Sequence, residues 1–129
     1  DWSSDVCSSD LAGEHTTFLG RVSDERLREL YRTAAAFVQL HEEDFGITVV
    51  EALACGCPVM VHCTGGHAEI VTDGVGVQVN AENEDAIDAG LVRLLEHAWD
   101  PAQAVDRARE FAPSTFDEGI TSALRQLGF

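Results

Sequence analysis

The stretch that decides the fold runs from Glu43 to Pro58 and reads Glu-Asp-Phe-Gly-Ile-Thr-Val-Val-Glu-Ala-Leu-Ala-Cys-Gly-Cys-Pro. It follows an apolar run, Ala36 to Leu40, that predicts a buried strand. Thr48 and Glu51 form a capping-box pattern, which predicts that a helix begins at Thr48 and continues to Ala54. A strand, an acidic loop and a helix start are therefore expected in direct succession.

A helix start in this setting favours an anionic ligand. The first amides of a helix have no partners within it and lie at the positive end of its dipole, so they attract phosphate. Gly46 lets a ligand approach the backbone closely. Glu43 and Glu51 are unusual neighbours for phosphate alone, because an ionised carboxylate only accepts hydrogen bonds. A ligand with a diphosphate flanked by sugars satisfies both demands.

The rest of the chain alternates between strand and helix patterns, which predicts an α/β fold with a parallel sheet of βαβ units. The predicted strands are Thr17 to Leu19, Ala36 to Leu40, Pro58 to His62 and Gly76 to Val79. The predicted helices are Asp24 to about Ala35 after the cap Ser23, Thr48 to Ala54, a loop or short helix at Ala68 to Val71, a helix that Asn83 caps and that continues through Glu96, one that Asp100-Pro101 begins and that runs to about Phe111, and one from Ser114 to near Leu127.

Four segments together resemble the retaining glycosyltransferases of family 4, which have the GT-B fold. Glu43 to Val59 resembles their Glu-x7-Glu signature, Phe18 to Glu25 and Leu27 to Tyr31 resemble the strand and helix before it, and Gly65 to Gly74 resembles their Gly-Gly loop. The match covers nearly all of Thr17 to Leu95 in the family's order. It implies a partial Rossmann-like parallel sheet from the C-terminal domain of such an enzyme, with the first two strands missing.

The N-terminal residues have a separate interpretation. Residues 1–11, Asp-Trp-Ser-Ser-Asp-Val-Cys-Ser-Ser-Asp-Leu, match one reading frame of a common sequencing adapter, and the alternative is an ordinary polar tail. We then expect a truncated nucleotide-sugar-binding domain over 12–112 and a C-terminal helix over 113–129, with the N-terminal domain of the same chain missing. We expect such a fragment to be marginally stable, or to pair Thr17 to Leu19 beside Ala36 to Leu40.

The resemblance also implies a role for individual residues. Glu43 is expected beside the donor sugar as the catalytic carboxylate, Glu51 at the ribose hydroxyls and Val22 near the nucleobase. Backbone amides are expected to contact the sugar and the diphosphate at Phe45, Gly46, Ile47, Thr48 and Val49. Asp44 stands where the family often has glycine, which leaves the sugar preference open.

Structural interpretations stand beside these roles. Glu43 would be a solvated loop carboxylate and Val22 a core residue, whereas Glu51 can cap the helix and bind ribose together, because a carboxylate has about four acceptor sites. Gly65 and Gly66 follow the third predicted strand, where ligands of open α/β sheets tend to bind. Direct ligand contact and a turn that needs positive φ both stay open for this pair.

Composition narrows the function further. The formal net charge is −15, or −12 without the aspartates of residues 1–11, which argues against nucleic acid and anionic membrane surfaces as partners. No run of about 18 apolar residues is present, so no transmembrane segment is expected. The cysteine usage, without a signal peptide, indicates a reducing compartment. We expect a cytoplasmic protein, or one associated with a membrane through its missing half.

A metal site and other chemistries receive little support. A zinc site would use Cys55, Cys57, Cys63, His62 and His67, but their spacing matches no zinc pattern, so no metal ligand is predicted. A Cys-His nucleophile lacks an orienting third group, and neither a P-loop nor a Gly-x-Gly-x-x-Gly motif is present. No cofactor is expected, only a nucleotide-diphosphate sugar as donor substrate.

The sequence thus favours the donor-binding part of a retaining glycosyltransferase with an unknown acceptor. By the resemblance, an Arg and a Lys from the missing part would stabilise the leaving diphosphate, so the fragment alone is expected to be inactive. The alternative is a non-catalytic nucleotide-binding or interaction module. A GT-B phosphorylase or epimerase, which uses free phosphate or water, is a third possibility.

Overall fold

In the part of the chain that the structure describes, three parallel strands form one sheet. A computed structural model describes residues 13–128, and the adapter interpretation of residues 1–11 lies outside them. The strands of the described chain are β1 (Phe37–Gln39), β2 (Val59–His62) and β3 (Gly76–Val79), in the order β1-β2-β3. Its helices are α1 (Asp24–Thr33), α2 (Ile47–Ala54), α3 (Gly66–Ile70), α4 (Glu84–Glu96), α5 (Pro101–Arg109) and α6 (Pro113–Gln126).

The sheet is covered on both faces, which explains why the first three residues of β2 are all apolar. Val59 and Val61 of β2 belong to a core cluster with α1, α2, α3 and α5, whereas Met60 packs with β3 and Leu94 of α4. Val59, Met60 and Val61 are fully buried, whereas His62 at the end of β2 is partly exposed. Successive side chains of a strand point to opposite faces, so a strand between two helical layers needs apolar residues at every position.

Three of the four predicted strands are confirmed, and the one at Thr17 to Leu19 is wrong. These residues have no regular secondary structure, and they do not pair with β1. Phe18 is 57% exposed and Leu19 is 51% exposed, so no second layer covers them. A strand of this length depends on a neighbouring ladder and an apolar cover, and the described chain supplies neither.

Most helix starts agree with the predicted caps. Ser23 accepts a hydrogen bond from Arg26 N at 3.2 Å before α1, and Asn83 accepts one from Ala86 N at 3.1 Å before α4. Asp100 caps α5 in the same way, with a 2.9 Å bond from Ala102 N. Each side chain supplies a partner to an amide that the helix itself cannot satisfy. The last helix begins one residue before the predicted Ser114, at Pro113.

The helix α6 differs from the others in its packing. Ile120 and Leu124 of this helix are exposed, and so is Leu127 directly after it. No helix in residues 13–128 is long and apolar enough to cross a membrane.

Arg107 of α5 holds α3 in place. Its Nε donates to the carbonyl oxygen of Ile70 and its Nη2 to that of Glu69, both at 2.7 Å. These carbonyls end α3, where the helix has no amide left to satisfy them and where a positive charge is favoured by the helix dipole. Arg107 thereby ties the segment that follows Gly65 to the core.

Replacing Arg107 with alanine is expected to lower the free energy of unfolding by about 2 kcal/mol, because two charge-assisted hydrogen bonds are lost. Chemical denaturation monitored by circular dichroism measures this change. The matched control is Arg109→Ala on the same helix, where an exposed ion pair with Asp106 is worth at most about 1 kcal/mol. Equal losses in the two variants would contradict the bracing role of Arg107.

Candidate functional site

The helix α2 begins one residue earlier than predicted, and it does not begin with a capping box. Gly46 is its N-cap, with φ 73° and ψ 37° in the left-handed region, and no described side chain caps it. A Cβ at this position would meet His67 Cβ at 2.8 Å, so both the backbone angle and the space require glycine. The amides of the first turn, Ile47 to Val49, therefore stay available to a ligand.

The hydroxyl of Thr48 bonds to the end of β1 instead of capping α2. Thr48 Oγ1 donates to Gln39 Oε1 at 2.7 Å, and Gln39 Nε2 lies 3.3 Å from Glu43 Oε2. His41 Nε2 lies 3.1 Å from that same carboxylate oxygen and 3.1 Å from Gln39 Nε2. Glu43 is thus held by two side chains, one at the end of β1 and one in the loop after it, and is not a freely solvated carboxylate.

Gln39 and His41 are not among the site residues that the sequence predicts. One signal was present, since Gln39 is a polar residue near the end of an otherwise apolar run, Ala36 to Leu40. A buried amide in such a run needs hydrogen-bond partners, and the nearest ones lie in the segment after the strand. The partnership with Thr48, however, depends on how α2 folds back, which the pattern does not reveal.

The Gly65-Gly66 turn packs directly against the backbone of the acidic loop. Gly66 N donates to the carbonyl oxygen of Glu43 at 2.7 Å, and a Cβ on Gly66 would overlap the carbonyl oxygen of Asp44. Gly65 has φ 93°, and its Cβ would lie 2.7 Å from the same Glu43 oxygen. The turn therefore needs both glycines to seat the loop that carries Glu43, whereas direct contact of these glycines with a ligand stays a prediction.

Glu51 lies away from the Glu43 cluster, on the side of α2 that faces α1. It lines a surface cavity of about 340 Å³ together with Asp24, Arg28 and Tyr31. Because Gly46 is the N-cap, Glu51 does not occupy the third helical position that a capping box requires, and that part of its predicted role is wrong. Val22, two residues before Asp24, is half-buried, and it belongs neither to the core cluster around Val59 and Val61 nor to the one around Met60.

The charge of Glu51 acts on Tyr31 across this cavity. Burial, and then the negative charge of Glu51, raise the pKa of Tyr31 to about 12. Tyr31 also packs edge-on against Phe37 of β1, with ring centroids 5.5 Å apart. The cavity between α1 and α2 thus has one wall fixed by the sheet and another that carries a carboxylate.

Apolar side chains surround the start of α2. Phe45 is 77% exposed and Ile47 is 65% exposed, although both stand next to a buried Gly46.

Among the predicted site residues, the structure brings together Glu43, Gly65, Gly66 and the start of α2 at the carboxyl ends of β1 and β2. Open α/β sheets bind ligands at this edge.

Cysteine chemistry finds no support in the geometry. Burial, and then the neighbouring Cys55, raise the pKa of the Cys57 thiol to about 11, whereas a metal ligand or nucleophile must be a thiolate. Cys63 is exposed. Within residues 13–128, no group of three or more histidine, cysteine, aspartate or glutamate side chains is placed to hold a metal ion.

Comparisons with known proteins agree on one family. The model of the family described as glycosyl transferases group 1 matches residues 4–111. The match begins inside residues 1–11, so the point where the natural sequence starts stays a prediction.

The chain spans less than a third of the length of each of the relatives compared below. Sucrose synthase 2 of Arabidopsis thaliana is 39% identical over 67% of this chain and 12% of its own length. D-inositol 3-phosphate glycosyltransferase of Nocardiopsis dassonvillei is 45% identical over 58% of this chain and 18% of its own length. The solved structure of sucrose-phosphate synthase from Thermosynechococcus elongatus superposes with a TM-score of 0.68 at 28% identity, covering 89% of this chain and 31% of that one.

Replacing Gly66 with alanine is expected to push the acidic loop away from the turn, because the new methyl group would overlap a backbone carbonyl. The free energy of unfolding should fall by at least about 2 kcal/mol, as measured by chemical denaturation. Gly74→Ala is the control, since its Cβ would meet only the end of the Gln103 side chain, which can move. A Gly66 variant as stable as the Gly74 variant would show that the loop does not rest on this turn.

Tyr31 is the chain's one tyrosine, so phenolate absorbance reports its ionisation alone. We expect the Tyr31 phenol to titrate with a midpoint near pH 12 in the folded protein. Its contribution to the free energy of unfolding should be fully present below about pH 10 and should be lost as the pH rises toward 12, because the phenol ionises first in the unfolded chain. Glu51→Gln should lower the Tyr31 pKa by removing a negative charge, whereas Glu29→Gln, an exposed position on α1, should leave it unchanged. An ordinary midpoint in the folded wild-type protein would contradict the burial beside Glu51.

Proposed function

The chain belongs to the group 1 glycosyl transferase family, and from that premise we propose that it forms the donor-binding part of a retaining glycosyltransferase. Its three-stranded parallel sheet matches a C-terminal fragment of a GT-B glycosyltransferase. In this proposal a sugar passes from a nucleotide-diphosphate sugar to an acceptor that the residues of this chain do not identify. The observation that carries it is the meeting of Glu43, the Gly65-Gly66 turn and the uncapped start of α2 at one edge of the sheet.

The start of α2 would hold the diphosphate. The amides of Phe45 to Val49 surround an N-cap that no described side chain fills, and the helix dipole adds positive potential there. Negative charge develops on the diphosphate as the bond to the sugar breaks, so donors fixed in advance stabilise the transition state more than the ground state. An Arg and a Lys from outside this chain would complete that stabilisation.

The two carboxylates would bind opposite ends of the donor. Glu43, held after β1 at the sheet edge, would accept hydrogen bonds from the sugar hydroxyls close to the reacting carbon. Glu51, in the cavity between α1 and α2, would accept them from the ribose hydroxyls, with Val22 near the nucleobase. Transfer would keep the anomeric configuration, and the proposal assigns no metal ligand and no cofactor.

The competing function is a nucleotide-binding or interaction module without transferase activity. It shares the anion-binding helix start but gives Glu43 no chemical task. Relatives whose names state an activity, such as the D-inositol 3-phosphate glycosyltransferase, favour sugar transfer over this alternative. A phosphorylase or epimerase would instead depend on free phosphate or water, which an assay of phosphate dependence separates.

In the whole protein, Glu43→Gln is expected to lower kcat by at least about 10²-fold, because a contact made to the reacting sugar is lost. The dissociation constant for the nucleoside diphosphate should stay unchanged, since that contact does not involve the diphosphate. Glu51→Gln should show the opposite pattern: kcat should change little, and the affinity for the nucleoside diphosphate should be about tenfold weaker. Initial-rate kinetics and calorimetric titration measure the two effects.

Glu42→Gln is the matched control for Glu43, because it neutralises the adjacent, exposed carboxylate. It should turn over like the wild type. Wild-type turnover in the Glu43 variant would remove the proposed role of that residue. Nucleotide binding without transfer from any nucleotide-diphosphate sugar would favour the non-catalytic module.

A further inference from the structure

We propose that Gln39 is a positioning residue that sets the direction of the Glu43 carboxylate and couples it to the start of α2. This inference rests on the proposed function, because it concerns the aim of the carboxylate that would contact the donor sugar. It assigns a task to a residue that is neither part of the Glu-x7-Glu pattern nor in contact with the Gly65-Gly66 turn in the hydrogen bonds described above.

The burial of Gln39 requires partners for both ends of its amide. Gln39 is the last residue of β1 and is only 7% exposed. A buried amide that lacked hydrogen bonds would cost considerable free energy, so its orientation is determined by the partners that it finds. Its oxygen accepts from Thr48 Oγ1 at 2.7 Å, and its nitrogen donates to Glu43 Oε2 at 3.3 Å.

These two bonds join parts of the site that bind different pieces of a donor. Thr48 is the second residue of α2, in the turn whose amides would hold the diphosphate. Glu43 would contact the sugar. A single buried side chain therefore links the anion-binding turn to the carboxylate, and a small misplacement of a reacting group lowers turnover strongly.

The bond from Gln39 also leaves half of the carboxylate available. The hydrogen bonds to the Glu43 carboxylate in the described part of the chain come from Gln39 and His41, and both use Oε2. The other oxygen, Oε1, is thus left for a sugar hydroxyl. Without Gln39, His41 would be the remaining described partner of this carboxylate.

His41 cannot replace Gln39 in this role. Its Nε2 lies 3.1 Å from both Gln39 Nε2 and Glu43 Oε2, and a single ring nitrogen cannot accept from the amide and donate to the carboxylate at once. The Gln39 amide carries two hydrogens, so it can donate to Glu43 in either tautomer of His41. The His41 side chain is also 67% exposed, where water competes for the same bond.

The first test is Gln39→Met in the whole protein, which keeps the volume of the side chain and removes the amide. We expect kcat to fall about tenfold or more while KM for the donor changes by less than about twofold, because orientation and not donor binding is lost. The matched control is Gln78→Met on β3, whose amide donates to the carbonyl oxygens of Ala68 and Val71, both at 2.7 Å. It should lower stability and leave kcat unchanged.

The second test approaches the same link from Thr48. Thr48→Val removes the hydroxyl at constant shape and should lower kcat as Gln39→Met does, whereas Thr48→Ser keeps the hydroxyl and should lose far less. The double variant of Gln39→Met and Thr48→Val should be no slower than the more impaired single variant, because both break one link. If the Gln39→Met variant does not fold, the difference in kcat between Thr48→Val and Thr48→Ser tests the inference instead.

Each outcome has a defined meaning. Wild-type kcat in Gln39→Met, or equal kcat in the two Thr48 variants, overturns the inference about Gln39. In that case the proposed function still stands if the Glu43→Gln variant has no turnover. Equal losses of kcat in Gln39→Met and Gln78→Met would show a merely structural role for Gln39. If the wild-type protein transfers no sugar, or Glu43→Gln turns over normally, the proposed function fails and the inference fails with it.

Discussion

The structure depends most on the close approach of two backbone segments, the acidic loop after β1 and the glycine turn after β2. The 2.7 Å hydrogen bond from Gly66 N to the Glu43 carbonyl is the central contact, and it forms only because neither glycine carries a Cβ. The same approach seats Gly46 against His67 at the start of α2. Two loops from neighbouring parallel strands are thus joined into one surface, on which the carboxylate and the uncapped helix start lie side by side.

The sheet determines where that surface lies, and α2 separates its two ends. Because β1 and β2 are parallel neighbours, their carboxyl ends open on the same edge, where loops after each strand can meet. Glu43 stays at this edge, whereas Glu51, farther along α2, faces the cavity beside α1. In the proposed function, hydroxyls at the two ends of the donor would bind these two carboxylates, with the diphosphate between them at the start of α2.

How far the sequence predicts the molecule can be argued from particular residues. Side-chain caps such as Ser23 and Asn83 are local, and their helices begin where the pattern predicts. The Thr48 cap is wrong because a tertiary partner, Gln39, takes its hydroxyl, and no local pattern contains that bond. The strand at Thr17 to Leu19 is wrong for a similar reason, since a strand needs neighbours that its own residues do not supply. The roles of Glu43, Glu51 and the turn amides stay predictions, although the sequence alone selected these positions.

The most direct measurement is amide hydrogen exchange of the whole protein with and without a nucleoside diphosphate, using the free nucleoside as control. The account predicts slower exchange in the segment from Phe45 to Val50 with the diphosphate and not with the nucleoside, because the phosphates would occupy the amides at the start of α2. Unchanged exchange there, with nucleotide binding demonstrated by calorimetry, would place the diphosphate elsewhere and contradict the central claim.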